Sequence, residues 1–155
     1  FMMLNRSNDV ELDFDFDKVL EKSKDNPVFY VQYAFARISS LFRTINKNLE
    51  DKIDLNINHF KLNDIEIKIL RKIFEWPKII ETSSYKLEPH RISYYLYDVA
   101  TLFHSYWSKG NENDSYRFIK NGKMKKNETL VIILLVAIVI KQGMSILGVS
   151  LPEKM

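Results

Sequence analysis

Tyr30, Tyr33 and Arg37 are spaced three and four residues apart, so on a helix they form one stripe tipped with hydroxyls and a guanidinium. A second aromatic set, Tyr94, Tyr95, Tyr97, Tyr106 and Trp107, lies further along the chain. Unpaired RNA bases stack on such rings at about 1–3 kcal/mol per base, while cations hold the backbone. Aromatic stripes at helical spacing are more often core, and most of these rings are expected there. A half-exposed role suits tyrosine best, because its hydroxyl needs a partner once buried. Between Arg117 and Lys126 there are five cations (Arg117, Lys120, Lys123, Lys125 and Lys126) and no acid. That run suits a phosphate backbone, or else forms a solvated loop.

Other chemistries find no support. Asp13, Asp15 and Asp17 have the spacing that opens a calcium loop, but Lys18 and Lys24 occupy the positions that need glycine and glutamate. His59, His90 and His104 have no partner at metal-ligand spacing, and surface or packing roles fit them better. With no cysteine there is no disulfide framework, zinc knuckle or thiol nucleophile. Four glycines leave little stock for a phosphate loop, and no hydrolase, Walker or zincin motif is present. Neither a catalytic centre nor a bound cofactor is expected within this chain.

The elements that must carry these residues are mostly helical. Residues 12–17 alternate as Leu-Asp-Phe-Asp-Phe-Asp, a half-buried strand pattern. From Asn26 to Leu49 the period changes: Val28, Val31, Phe35, Ile38, Phe42, Ile45 and Leu49 recur every three or four residues. Asn26 is placed to cap this helix and Pro27 fits its first position. Residues 50–61 read as a loop. A second helix is expected from Asp64 to Glu75, interrupted by Trp76-Pro77, and a third from Pro77 to Lys86. The fourth opens at Glu88-Pro89 and is expected to end at Gly110 near Lys109. The fifth begins at Asn127 as a cap. Its eleven apolar residues, Leu130–Ile140, fall short of the roughly 20 a membrane span needs, so it reads as a buried core helix. Gly143 within it suggests that another helix passes close. Past residue 25 the expected fold is an all-α bundle of five helices with short connections.

The chain has 155 residues and a net charge of +3. Residues 1–25 hold four basic and seven acidic residues, a net −3, and the remainder holds 19 basic and 13 acidic, a net +6. Phe1 stands where an initiator methionine would, with no secretory signal after it, so a piece of something longer is expected.

Three stretches resemble, in order, the end of arginyl-tRNA synthetases, a class I aminoacyl-tRNA synthetase family. Phe1-Met2-Met3-Leu4-Asn5-Arg6-Ser7-Asn8-Asp9, with Leu12-Asp13-Phe14-Asp15, resembles the stretch after the family's lysine signature loop. The segment from Asn26 to Ile38, around Gln32-Tyr33-Ala34-Phe35-Ala36-Arg37, resembles the first helix of its anticodon-binding DALR domain, although many bacterial members have histidine where Phe35 stands. Gly143-Met144-Ser145-Ile146-Leu147-Gly148-Val149 followed by Pro152-Glu153-Lys154-Met155 resembles the family's ending, and Phe103-His104-Ser105-Tyr106 its aromatic segment.

This resemblance implies a remnant of the catalytic domain over 1–25 and an anticodon-binding bundle over 26–155. It implies arginine tRNA as partner, alongside the chain's own catalytic domain, in a monomeric cytoplasmic enzyme with no membrane contact. That parent would use ATP; the adenylate-binding motif and lysine loop are absent here, so this stretch alone would activate no arginine. By motif, Tyr33, Met155 and either Tyr106 or Trp107 would approach anticodon bases, the terminal carboxylate accepting from a cytosine amino group. Arg37 would serve as a phosphate contact or a structural pair; Lys123, Lys125 and Lys126, in a stretch that does not align with the family, would serve the RNA backbone by their charge alone. The alternatives are the related domain of another synthetase and a helical protein-interaction module whose tyrosines are core.

Overall fold

The computed structural model describes residues 1, 3–4, 20–23, 25–53 and 61–155. The alternating segment 12–17, His59 and most of the loop expected over 50–61 lie outside the described residues.

Each expected helix is present, although the first ends at Thr44, so Ile45 and Leu49 fall beyond it. Helix α1 spans Pro27–Thr44; the Asn26 side chain accepts from the Phe29 amide and Pro27 sits in the first turn. Its buried positions Val31, Ala34, Phe35, Ile38, Leu41 and Phe42 keep the spacing read from sequence. Helix α2, Asp64–Phe74, starts with a capping box: Asn63 accepts from the amides of Ile65 and Glu66, and Glu66 Oε2 accepts from the Asn63 amide at 2.8 Å. Helix α3, Trp76–Lys86, follows after the single residue Glu75. The interruption falls one residue earlier than expected, because Pro77 in the first turn needs no amide partner and Trp76 can already be helical.

Helix α4 runs His90–Glu112, past Gly110. Gly110 does not end the helix; a Cβ there would lie 3.1 Å from the Tyr116 carbonyl oxygen, so the glycine lets the following chain fold back onto α4. A 3₁₀ turn, Asp114–Tyr116, then leads to a two-stranded antiparallel hairpin, β1 Ile119–Lys120 and β2 Lys123–Met124. This hairpin was not expected within the basic loop. Its turn residues Asn121 and Gly122 both take positive φ, 52° and 71°, which an Asn-Gly pair favours.

Helix α5, Asn127–Ile146, packs on α4, α2 and α1. Asn127 is its first helical residue, not its cap; Lys126 occupies the cap position and provides no side-chain hydrogen bond. By length and overall composition the 20-residue α5 could cross a membrane, but here it supplies Leu130, Ile133, Val136, Ile140 and Met144 to the bundle core. The core closes between α1, α4 and α5, with Ile38, Phe42, Leu96 and Phe103 at its centre.

Candidate RNA-binding groove

The chain end returns along α1. The Gln32 side chain donates to the Ser150 carbonyl at 2.9 Å, and Arg43 donates to the Glu153 carbonyl at 3.2 Å. Between helix and tail lies a cleft of about 240 Å³ lined from α1 by Tyr33, Arg37 and Arg43 and from the tail by Glu153, Lys154 and Met155. Three residues singled out from sequence, Tyr33, Arg37 and Met155, thus meet in one place. The first two are four residues apart on α1, and Met155, 53% exposed, arrives from the far end of the chain.

Arg37 organises this cleft. Its Nη2 donates to the Tyr33 hydroxyl at 2.9 Å, and its guanidinium carbon sits 4.2 Å from the Tyr33 ring centroid. Trp107 on α4 approaches the same guanidinium at 5.3 Å and also lines a neighbouring cleft of about 290 Å³ with Asn111, Arg117 and Phe118. No carboxylate among the described residues forms an ion pair with Arg37.

Tyr106 does not belong to the cleft. It is 2% exposed, and its hydroxyl donates to Glu66 Oε1 at 2.8 Å and accepts from Asn63 at 3.0 Å. One residue apart on a helix is about 100° of rotation, so Trp107 reaches the groove side while Tyr106 turns inward. Burial and the Glu66 carboxylate together hold its hydroxyl far above the usual tyrosine range. Tyr95 is likewise core, 2% exposed, its hydroxyl on the Lys72 carbonyl at 2.8 Å.

The basic run is less free than its composition suggests. Lys125 reaches back to Asp114, bonding its carbonyl and, at 3.2 Å, its carboxylate, while Arg117 lies 3.7 Å from the same side chain. The Lys125 ammonium in turn holds the Asp114 carboxyl below its ordinary range. Lys123 and Lys126 are exposed and form no ion pair among the described residues.

Sequence reasoning missed Arg43, and gave His104 a surface or packing role without joining it to Arg37. Arg43 lies six residues from Arg37, about 120° around the helix, so spacing did not join it to the stripe; its side chain reaches the cleft through the Glu153 carbonyl. His104 is buried as a packing residue and stands in the family's aromatic segment, but it lies 67 residues from Arg37, and only the packing of α4 on α1 brings its Nδ1 within 3.3 Å of Arg37 Nη1.

Comparison with known proteins agrees with this architecture. The sequence profile described as the DALR anticodon binding domain matches residues 31–155. An arginine–tRNA ligase of Pelagibacter ubique is 56% identical over the whole chain, and one of Ruegeria pomeroyi is 44% identical. The chain spans only 27% and 28% of those two proteins. An arginyl-tRNA synthetase structure from Campylobacter jejuni superposes with a TM-score of 0.82 at 27% identity, over 99% of this chain and 32% of that one. The arginyl-tRNA synthetase of Thermus thermophilus shares the fold, with a TM-score of 0.75 at 19% identity over 99% of this chain and 25% of that one. With 125 of its residues inside the profile and its bundle matched almost end to end, the chain belongs to the DALR anticodon binding domain family.

Proposed function

We propose that this chain is the anticodon-binding part of an arginine–tRNA ligase. The observation that carries the reading is the convergence of Tyr33, Arg37 and Met155 on one cleft, from opposite ends of the sequence. An unstacked base of the anticodon loop enters the cleft beside the stacked Tyr33–Arg37 pair, with Met155 closing the other side. Trp107 offers a second ring beyond Arg37, in place of the buried Tyr106. Arg37, whose charge no carboxylate cancels among the described residues, meets a loop phosphate, and Lys123 and Lys126 add cations further along the RNA backbone.

Residues 1–25 belong to the end of the catalytic domain, and residues 26–155 form the anticodon-binding unit. Elsewhere in the full-length protein that catalytic domain joins arginine to the 3′ end of the tRNA with ATP, in the cytoplasm and as a monomer. The bundle holds the anticodon loop while that reaction proceeds.

The test is a titration of this chain with the anticodon stem-loop of arginine tRNA and with the same stem-loop carrying a changed anticodon. Tighter binding of the arginine sequence is expected. Equal affinity for both would remove the anticodon reading and favour a protein-interaction module.

A further inference from the structure

His104 is 6% exposed and sits behind Arg37, in contact with the cleft but not part of its wall. Its two ring nitrogens meet partners of opposite kind. Nε2 lies 3.2 Å from the Tyr30 carbonyl oxygen, which only accepts, so Nε2 carries the proton. Nδ1 lies 3.3 Å from Arg37 Nη1, which only donates, so Nδ1 is bare. Together the two contacts select one neutral tautomer.

The surroundings maintain that state. Burial is the largest influence lowering the His104 pKa; the Tyr30 carbonyl opposes it and the Arg37 charge adds to it. From α1 the groups facing the ring are Tyr30 at 4.4 Å, Tyr33 at 5.6 Å and Arg37, and from α4 the apolar Phe103 at 5.7 Å. Burial pushes the Tyr30 hydroxyl up, so it stays neutral and Arg37 is the charge that the ring meets. Arg37 is therefore oriented by two neutral acceptors, His104 Nδ1 and the Tyr33 hydroxyl. A carboxylate would orient it equally well but would cancel its charge.

We propose that His104, neutral with Nδ1 bare, is a positioning residue for RNA: it fixes the Arg37 guanidinium over Tyr33 so that its uncancelled charge meets a phosphate of the bound loop. This rests on the anticodon-loop reading. Protonation would place an N–H against the guanidinium and set two cations in contact, freeing Arg37 to swing away.

The experiment titrates this chain with the arginine anticodon stem-loop between pH 5 and 8 at fixed ionic strength. It compares the unaltered chain with His104→Asn, His104→Leu and Tyr33→Ala, with melting temperatures recorded alongside. A hydrogen bond to a charged group is worth about 10-fold or more in affinity. The unaltered chain should weaken by about 10-fold on acidification. His104→Asn keeps an acceptor beside Arg37 but no titrating proton; it should bind within about threefold at pH 7.5 and lose the acid response. His104→Leu should bind about 10-fold more weakly at pH 7.5.

Parallel pH profiles for the unaltered chain and His104→Asn would overturn the proposal. So would a folded His104→Leu variant that binds normally. If Tyr33→Ala weakens binding while both His104 variants behave as the unaltered chain, only the role of His104 falls. If the unaltered chain does not prefer the arginine loop at any pH, the anticodon reading falls and takes this inference with it.

Discussion

Tyr106 donates to Glu66 across 2.8 Å in the centre of the bundle, although 40 residues separate them. Glu66 has no exposed surface, and it also accepts from the Thr129 hydroxyl and the Asn63 amide. One carboxylate thereby ties the start of α2 to α4 and α5. Four donors and acceptors satisfied together make this a network in which each loss leaves a buried group unpaired.

Tyr106→Phe should therefore destabilise the fold by about 1–3 kcal/mol, the usual cost of stripping a partner from a buried polar group. Chemical denaturation measures this. Affinity of the folded variant for the anticodon loop should not change, because the hydroxyl faces away from the cleft. A drop in affinity without loss of stability would return Tyr106 to the RNA site.

Gly143→Ala tests the approach of α5 to α4. A Cβ at Gly143 would lie 2.7 Å and 2.9 Å from the two terminal carbons of Leu96, which is fully buried. Overpacking of this kind costs about 1–3 kcal/mol, read as a lower denaturation midpoint. Adding Leu96→Ala should recover part of the loss, so the double variant should be more stable than the sum of its singles predicts.

Tyr33 contributes a ring and a hydroxyl, and two substitutions separate them. Tyr33→Ala should reduce anticodon-loop affinity by about 1–3 kcal/mol through lost stacking. Tyr33→Phe keeps the ring but removes an acceptor from Arg37, and should fall between the two. Both are read in the stem-loop titration. A tag appended after Met155 should also weaken binding, because it crowds the cleft that Met155 lines; unchanged affinity would place the RNA elsewhere.

Stability should respond to acid through His104, and the sign follows from its lowered pKa. Below the ordinary value near 6.5 the unfolded chain takes up the proton before the folded one does. Stability is therefore whole above about pH 6.5, declines as the pH falls below it, and levels off once the folded form also protonates. Thermal melts of the unaltered chain and His104→Asn should diverge in that window, the variant losing its part of the decline.

Salt dependence separates the lysines of the hairpin. Lys123→Ala and Lys126→Ala should each lower the slope of affinity against salt by about 1 if they meet phosphates. Lys125→Ala should change the slope less, because its ammonium already serves Asp114.

Local signals were readable where local chemistry decides. Asn26-Pro27, the spacing from Val31 to Phe42 and the crowding at Gly143 all depend on neighbours within a turn or on a single glycine. Asn121-Gly122 was equally local and marked a hairpin that the lysines around it concealed. Glu66 was not readable. A charged residue beside Ile65 and Ile67 looks solvent-facing, and its partners Tyr106 and Thr129 come from helices far along the chain. The site divides in the same way. Tyr33 and Arg37 share a helical face that spacing reveals, whereas Met155 came from resemblance to a family ending and His104 from the docking of α4.

The tail beside α1 is held at the carbonyls of Ser150 and Glu153, groups that every residue type possesses. Upstream, the Val149 and Leu151 side chains pack against the core, and beyond Leu151 the hold is through the backbone. Residues 153–155 thus face the cleft from a strap whose last tie, at the Glu153 carbonyl, is made by the backbone. Side chains there can change the shape and charge of the cleft without touching the core of the bundle.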